Sequence, residues 1–119
     1  MATGFITHKG KRIYFIDAEG IDRDRVGALA DKAAAEIRAQ PAGSVLTITH
    51  CKDAHVDMQV VDALRKLAEG NGPYVKAACV TGLSQPQKIV FYTVKILSRR
   101  DLKAFDTVDE AKDFLAGLP

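Results

Sequence analysis

Along the chain, stretches of strand character alternate with stretches in which apolar residues recur every three or four positions. Phe5 to His8 and Arg12 to Asp17 have strand character. Lys9-Gly10 between them predicts a tight hairpin turn, with glycine supplying a positive φ. The run "RIYFI" is almost continuously apolar, as a strand covered on both faces should be. From Asp22 to Ala39, Val26, Leu29, Ala30, Ala33 and Ile37 fall on one helical stripe, which Arg25, Asp31, Lys32, Glu36 and Arg38 avoid. "QPAG" (Gln40 to Gly43) ends that helix.

The β-branched run "SVLTITH" predicts the next strand. A second helix is expected from Asp57 to Glu69, with Met58, Val61, Leu64 and Ala68 on one face and "GNGP" (Gly70 to Pro73) as its stop. "YVKAACV" follows as a strand, Ser84 to Arg99 as a helix and "LKAFD" as a short last strand. Thr107-x-x-Glu110 is a capping box that opens a final helix, and Gly117 is its expected C-cap. The order β-β-α-β-α-β-α-β-α predicts one α/β domain over residues 1–119, with a mostly parallel sheet, an antiparallel N-terminal hairpin and helices packed on it.

Composition narrows the class without naming a function. At 119 residues and 47% hydrophobic, the chain suits a single core. Cys51 and Cys79 are far apart and neither belongs to a CxxC pair, so no zinc ribbon or redox motif is expected. "MATGFITHKGKR" lacks the apolar core of a signal peptide, and no apolar run approaches the roughly 18 residues that a membrane span needs. The expectation is a cytoplasmic protein with reduced thiols and no transmembrane segment. A net charge of +2 and the absence of basic clusters with interleaved exposed aromatics argue against nucleic acid.

Three stretches together resemble a known family: "HKGKRIYFIDAEG", "VLTITHCKDAHVDMQVVDALRKLAEGNGPYVKAACVTGLS" and "KAFDTVDEAKDFL". The chain resembles the small stand-alone bacterial domains of STAS-like fold, the domain shared by sulfate transporters and anti-sigma-factor antagonists and often grouped with SEC14-like domains. The resemblance covers nearly the whole chain and rests on a pattern of elements and short motifs, not on a catalytic signature. It implies a sheet backed by helices and a regulatory or binding role. In anti-sigma-factor antagonists a serine or threonine in the loop after the third strand is phosphorylated, and the added charge switches binding. Here that loop, "HCKDAHVD", has Asp53, His55 and Asp57 but no hydroxyl; Thr47 and Thr49 lie in the preceding strand.

His50, Cys51, Asp53 and His55 are metal-ligand types. As neighbours at a strand end, however, His50 and Cys51 point to opposite faces, and Asp53 and Asp57 are placed to cap the next helix, so no metal site or cofactor is expected. A Cys51–histidine nucleophile would need an orienting group and an oxyanion site, and no local motif supplies either. In "TGLSQPQK", Gly82 allows close backbone approach of a ligand at a helix N-terminus. Ser84-x-x-Gln87 with Pro86 is also a plain helix cap, which accounts for these residues without a ligand. No acidic residue occurs from Tyr74 to Arg100, and Lys88, Tyr92, Lys95 and Arg99 share a helix face that an acidic partner or an anionic headgroup would suit. The same helix carries Ile89, Val90, Phe91, Val94, Ile96 and Leu97, more apolar positions than one buried stripe requires.

These features predict a non-enzymatic regulatory or interaction module that binds a protein partner or self-associates as a homodimer. Its ligand or partner contacts are expected at Gly82, Ser84, Lys88, Tyr92, Lys95 and Arg99. The first rival is a SEC14-like carrier or sensor of a small apolar or anionic ligand. The third reading is an enzyme using Cys51, His50 or His55.

Overall fold

The protein is described here by a computed structural model covering residues 2–98 and 102–119, the side chains at 94 and 96–98 excepted. Its elements are β1 (Gly4–His8), β2 (Lys11–Asp17), α1 (Val26–Ile37), β3 (Val45–His50), α2 (Met58–Asn71), β4 (Val75–Thr81), α3 (Gln85–Ser98), β5 (Leu102–Phe105) and α4 (Val108–Ala116). They form a five-stranded sheet in the order β1-β2-β3-β4-β5. β1 and β2 pair antiparallel, and every later pair is parallel. The hairpin turns through Lys9 at φ 49° and Gly10 at φ 79°, the two positive angles that a two-residue turn between twisted strands needs. The expected α/β class, element order and hairpin edge are all present.

Both faces of the sheet are covered. Successive β2 residues Ile13 to Ile16 are all buried because they alternate between two cores. Ile13 and Phe15 meet Leu46, Ile48, Cys79 and the α4 residues Ala111 and Leu115 on one face. Tyr14 and Ile16 meet Ala33, Ile37, Val45 and Leu67 on the other. Since α1, α2 and α3 close crossovers between adjacent parallel strands, they lie together on that second face, leaving α4 alone on the first. The α4 side is clasped to the hairpin by Asp113, 2.8 Å from His8 Nε2 and 3.0 Å from Lys9 Nζ. Hydrogen bonds from His8 and then Lys9 hold the Asp113 carboxyl below the usual carboxylate range.

Four expectations need correction. The first helix begins at Val26, not Asp22, because the Asp22 carboxylate accepts from the Asp24 and Arg25 amides and holds that segment as a turn. Asp53 caps nothing: it sits at φ 58° in the loop, and Asp57 alone caps α2, accepting from Gln59 N at 2.8 Å. Gly70 is not a helix stop. A Cβ there would stand 2.1 Å from Arg38 Nη2, so glycine lets the arginine lie against α2 and donate from Nε to Asn71 Oδ1. The helix therefore runs on to Asn71 before a 3-10 turn through Pro73. Met58, read as part of one apolar face with Val61, Leu64 and Ala68, is 89% exposed, because the residues that reach the core are Val60, Leu67 and Asn71. Arg99 and Arg100 lie outside the described residues, as do the side chains of Val94, Ile96 and Leu97.

Tyr14 carries the fully enclosed side-chain polar atom that lacks a hydrogen-bond partner among the described residues. Burial, followed by the Glu36 charge and the approach of its carboxylate to the hydroxyl, pushes its pKa up to about 12, although no hydrogen bond of ordinary geometry joins the two. Removing the hydroxyl removes an unsatisfied donor from the core. Tyr14→Phe is therefore expected to leave stability unchanged or to raise it by about 1 kcal/mol in chemical denaturation. A clear loss would show that the hydroxyl is bonded in solution.

Candidate functional site

The candidate site is a cavity of about 180 Å³ between α2, α3 and the second face of the sheet. Its floor is formed by Thr47 and Thr49 of β3 and Ala78 and Val80 of β4. Its walls come from Val60, Leu64 and Ala68 on α2 and from Val90 and Phe91 on α3. The alanines at 78 and 68 are too short to span the space between sheet and helices. Val61, Leu64 and Ala68, read as sharing one face of α2, line this cavity and are half-buried. Outside it, Val56, Met58, Val61 and Val90 form a shallower groove between α2 and α3. Val56, Met58, Ile89 and Tyr92 are the large apolar side chains most open to solvent among the described residues.

One buried glutamine ties α3 to the rest of the site. Gln87 Nε2 donates to the carbonyls of Cys51 at 3.2 Å and Ala54 at 2.6 Å, while its Oε1 accepts from the Ser84 amide at 2.7 Å. The capping box is thus real, and it also joins the first turn of α3 to the loop after β3. That second role has no signature in the sequence, since Gln87 and its carbonyl partners are more than thirty residues apart.

The His/Cys/Asp cluster is divided by the sheet. His50 points to the α4 face, where its ring stacks on Phe15 at 6.2 Å and its Nδ1 is 2.8 Å from Thr81 Oγ1. Cys51 points the other way, into a core with Ala18, Ile21, Val26 and Val60, and both it and His55 also line the cavity. Asp53 and His55 are exposed. Among the described residues no group of three His, Cys, Asp or Glu side chains is placed to hold a metal ion. Gly82, at φ 76°, turns the chain where a Cβ would lie 3.0 Å from both His50 Cε1 and the Lys52 amide. Its glycine thus answers to packing of the histidine ring at the carboxyl ends of β3 and β4.

The predicted basic face of α3 is partly neutralised. Lys88 Nζ is 3.9 Å from Asp106 Oδ1, an acid just beyond the acid-free segment. Tyr92 is exposed and its ring meets Phe91 edge-on, with centroids 5.4 Å apart. Lys95 is half-buried, Ser84 is exposed, and Arg99 lies outside the described residues. Gly82, Ser84 and Lys88 surround the start of α3, whereas Tyr92 and Lys95 lie one to two turns further along it. They do not converge on one point. The site that does converge, Thr47, Ala78, Phe91 and their neighbours, was not legible beforehand, since a gap between packed elements leaves no motif. Among the described residues no helix is long and apolar enough to cross a membrane.

Comparison with protein-family models, with curated proteins and with solved structures found no match to this chain.

Burial pushes the thiol pKa of both cysteines up to about 12, with the Lys103 charge partly opposing this at Cys79. A thiol raised in this way stays protonated, and therefore unreactive, until well above the ordinary range near 8.5. Alkylation of the native protein by iodoacetamide is expected to be slow at both positions up to about pH 10. Both should react fully once the chain is unfolded in guanidinium. Rapid native labelling of Cys51 at pH 7 would contradict its burial.

Proposed function

We propose that this protein is a non-enzymatic binding module that carries or senses a small apolar molecule held between α2, α3 and the sheet. The cavity of about 180 Å³ supports this reading. An apolar cavity of about 150 Å³ is enough to bind benzene. The lining is mostly aliphatic and aromatic, with a few polar groups that would set orientation, as in small-molecule sites generally. The resemblance to STAS-like and SEC14-like domains favours the same class, and the order of the sheet is compatible with it. Cys51 and His55 both line the cavity, but burial keeps the Cys51 thiol protonated, and His50 lies on the opposite face of the sheet between Thr81 and Glu19, which weighs against an enzyme.

Filling the cavity tests the reading. Ala78→Leu adds three methylene equivalents to the floor and should stabilise the fold by about 1–2 kcal/mol. The same substitution should abolish uptake of small aromatic probes and remove any molecule that co-purifies with the wild type in native mass spectrometry. Unchanged probe binding in Ala78→Leu would place the binding site elsewhere.

The exposed apolar residues favour a second reading, a regulatory interaction module that docks a protein partner or a second copy through the α2–α3 groove. Val56, Met58, Ile89 and Tyr92 are each more than half exposed. Phosphorylation would not switch such docking in the loop after β3, which offers no hydroxyl. On this reading, Met58→Glu with Ile89→Glu should lower the solution mass of an associating protein while leaving its unfolding midpoint unchanged. A monomer in both forms across the micromolar range would dispose of self-association.

A further inference from the structure

Resting on the cavity reading above, we infer that the molecule it holds is uncharged and carries a hydrogen-bonding group, and that Thr47 on β3 receives that group. Thr47 is 5% exposed and lines the cavity. Its hydroxyl makes no hydrogen bond to any described residue. The fully enclosed polar side-chain atom left without a partner among the described residues is the Tyr14 hydroxyl. The Thr47 hydroxyl, equally unpartnered, is therefore not sealed in packed protein but faces the cavity. A buried hydroxyl facing a mostly apolar wall gains a partner when a ligand brings one.

Asn71, 4% exposed, lines the same cavity and adds donors. Arg38 can only donate, so its Nε at 3.1 Å faces the Asn71 carbonyl oxygen. That orientation leaves the Asn71 amide protons without a partner among the described residues.

Among the described residues, the rest of the lining disfavours a charged ligand. Of the described basic side chains that line it, His55 is exposed to solvent, and both arms of the Arg65 guanidinium are taken, by Asp62 at 2.7 Å and Glu69 at 2.8 Å. A ligand carboxylate would be taken out of water with no buried, unpaired cation among the described residues to compensate, which is far more costly than burying a neutral group. A ligand ammonium fares no better, because no acidic side chain among the described residues lines the cavity. The chemistry that fits is a small apolar body bearing a hydroxyl, carbonyl or amide, in preference to an acid or an amine.

Benzene, benzyl alcohol and benzoate form a matched probe series for calorimetric or NMR titration of the full-length protein at pH 7. Benzene and benzyl alcohol should bind, and benzoate should bind at least a hundredfold more weakly than the alcohol. Thr47→Val, which keeps the branched shape, should weaken benzyl alcohol by about two- to tenfold, the worth of one neutral hydrogen bond. It should leave benzene unchanged or slightly tighter. Thr47→Ser should retain the wild-type preference for the alcohol, which separates the hydroxyl's role from any packing defect. Benzene and benzyl alcohol binding with no response to Thr47→Val, or benzoate binding most tightly, would overturn this inference while leaving the cavity as a ligand site. Failure of all three probes to bind the wild type would overturn the cavity reading and this inference together.

Discussion

The sheet's two faces must both be removed from water, and the rest of the structure follows from how differently that is done on each. β2 states the requirement most plainly, because Ile13, Tyr14, Phe15 and Ile16 are all buried and alternate in direction. One face is closed by α4 alone, whose Ala111 and Leu115 are fully buried against Ile13, Phe15, Leu46 and Ile48. The other is closed by three crossover helices, and these do not fit equally. α1 and the inner stripe of α2 pack closely on Tyr14, Ile16 and Val45. α3 is tied by Gln87 at its first turn and stands away from α2 over the short side chains Ala68 and Ala78.

The cavity is thus a consequence of covering one wide parallel sheet with helices of fixed diameter and several small side chains. Protein interiors ordinarily fill such gaps, because each one forfeits contacts. A gap kept between a strand pair and two helices, with polar side chains on its lining and apolar residues exposed at its outer edge, is a feature that packing alone does not account for and that suits the proposed binding role.

The carboxyl ends of the parallel strands, where open α/β sheets usually hold ligands, are differently used here. His50, Thr81 and Gly82 are packed against one another, and the backbone joins the ends through Ala18 N to His50 O and Cys51 N to Thr81 O. These contacts hold the loop after β3 rigidly enough for Gln87 to anchor on its carbonyls. The histidine and cysteine so conspicuous in the sequence serve this framework, on opposite faces of the sheet.

The sequence by itself determined the element order, the hairpin turn at Lys9-Gly10, both capping boxes and the doubly buried β2. Each of these depends on local backbone preference or on periodicity within a few residues, which a linear reading contains. Boundaries failed where a side chain acted against expectation locally, as at Asp22, or where a distant group intervened, as Arg38 does at Gly70. The inward stripe of α2 was displaced because it lies between two neighbours, the sheet and α3, and periodicity does not say which one an apolar residue meets. Met58 is exposed for that reason, Val61 and Ala68 line the cavity, and Leu64 both lines it and packs against the core around Val60. Only the tertiary structure decided the cavity, the dual role of Gln87 and the unpartnered hydroxyl of Thr47. Each is a relation between residues far apart in the chain, set by how far apart the packed backbones come to rest.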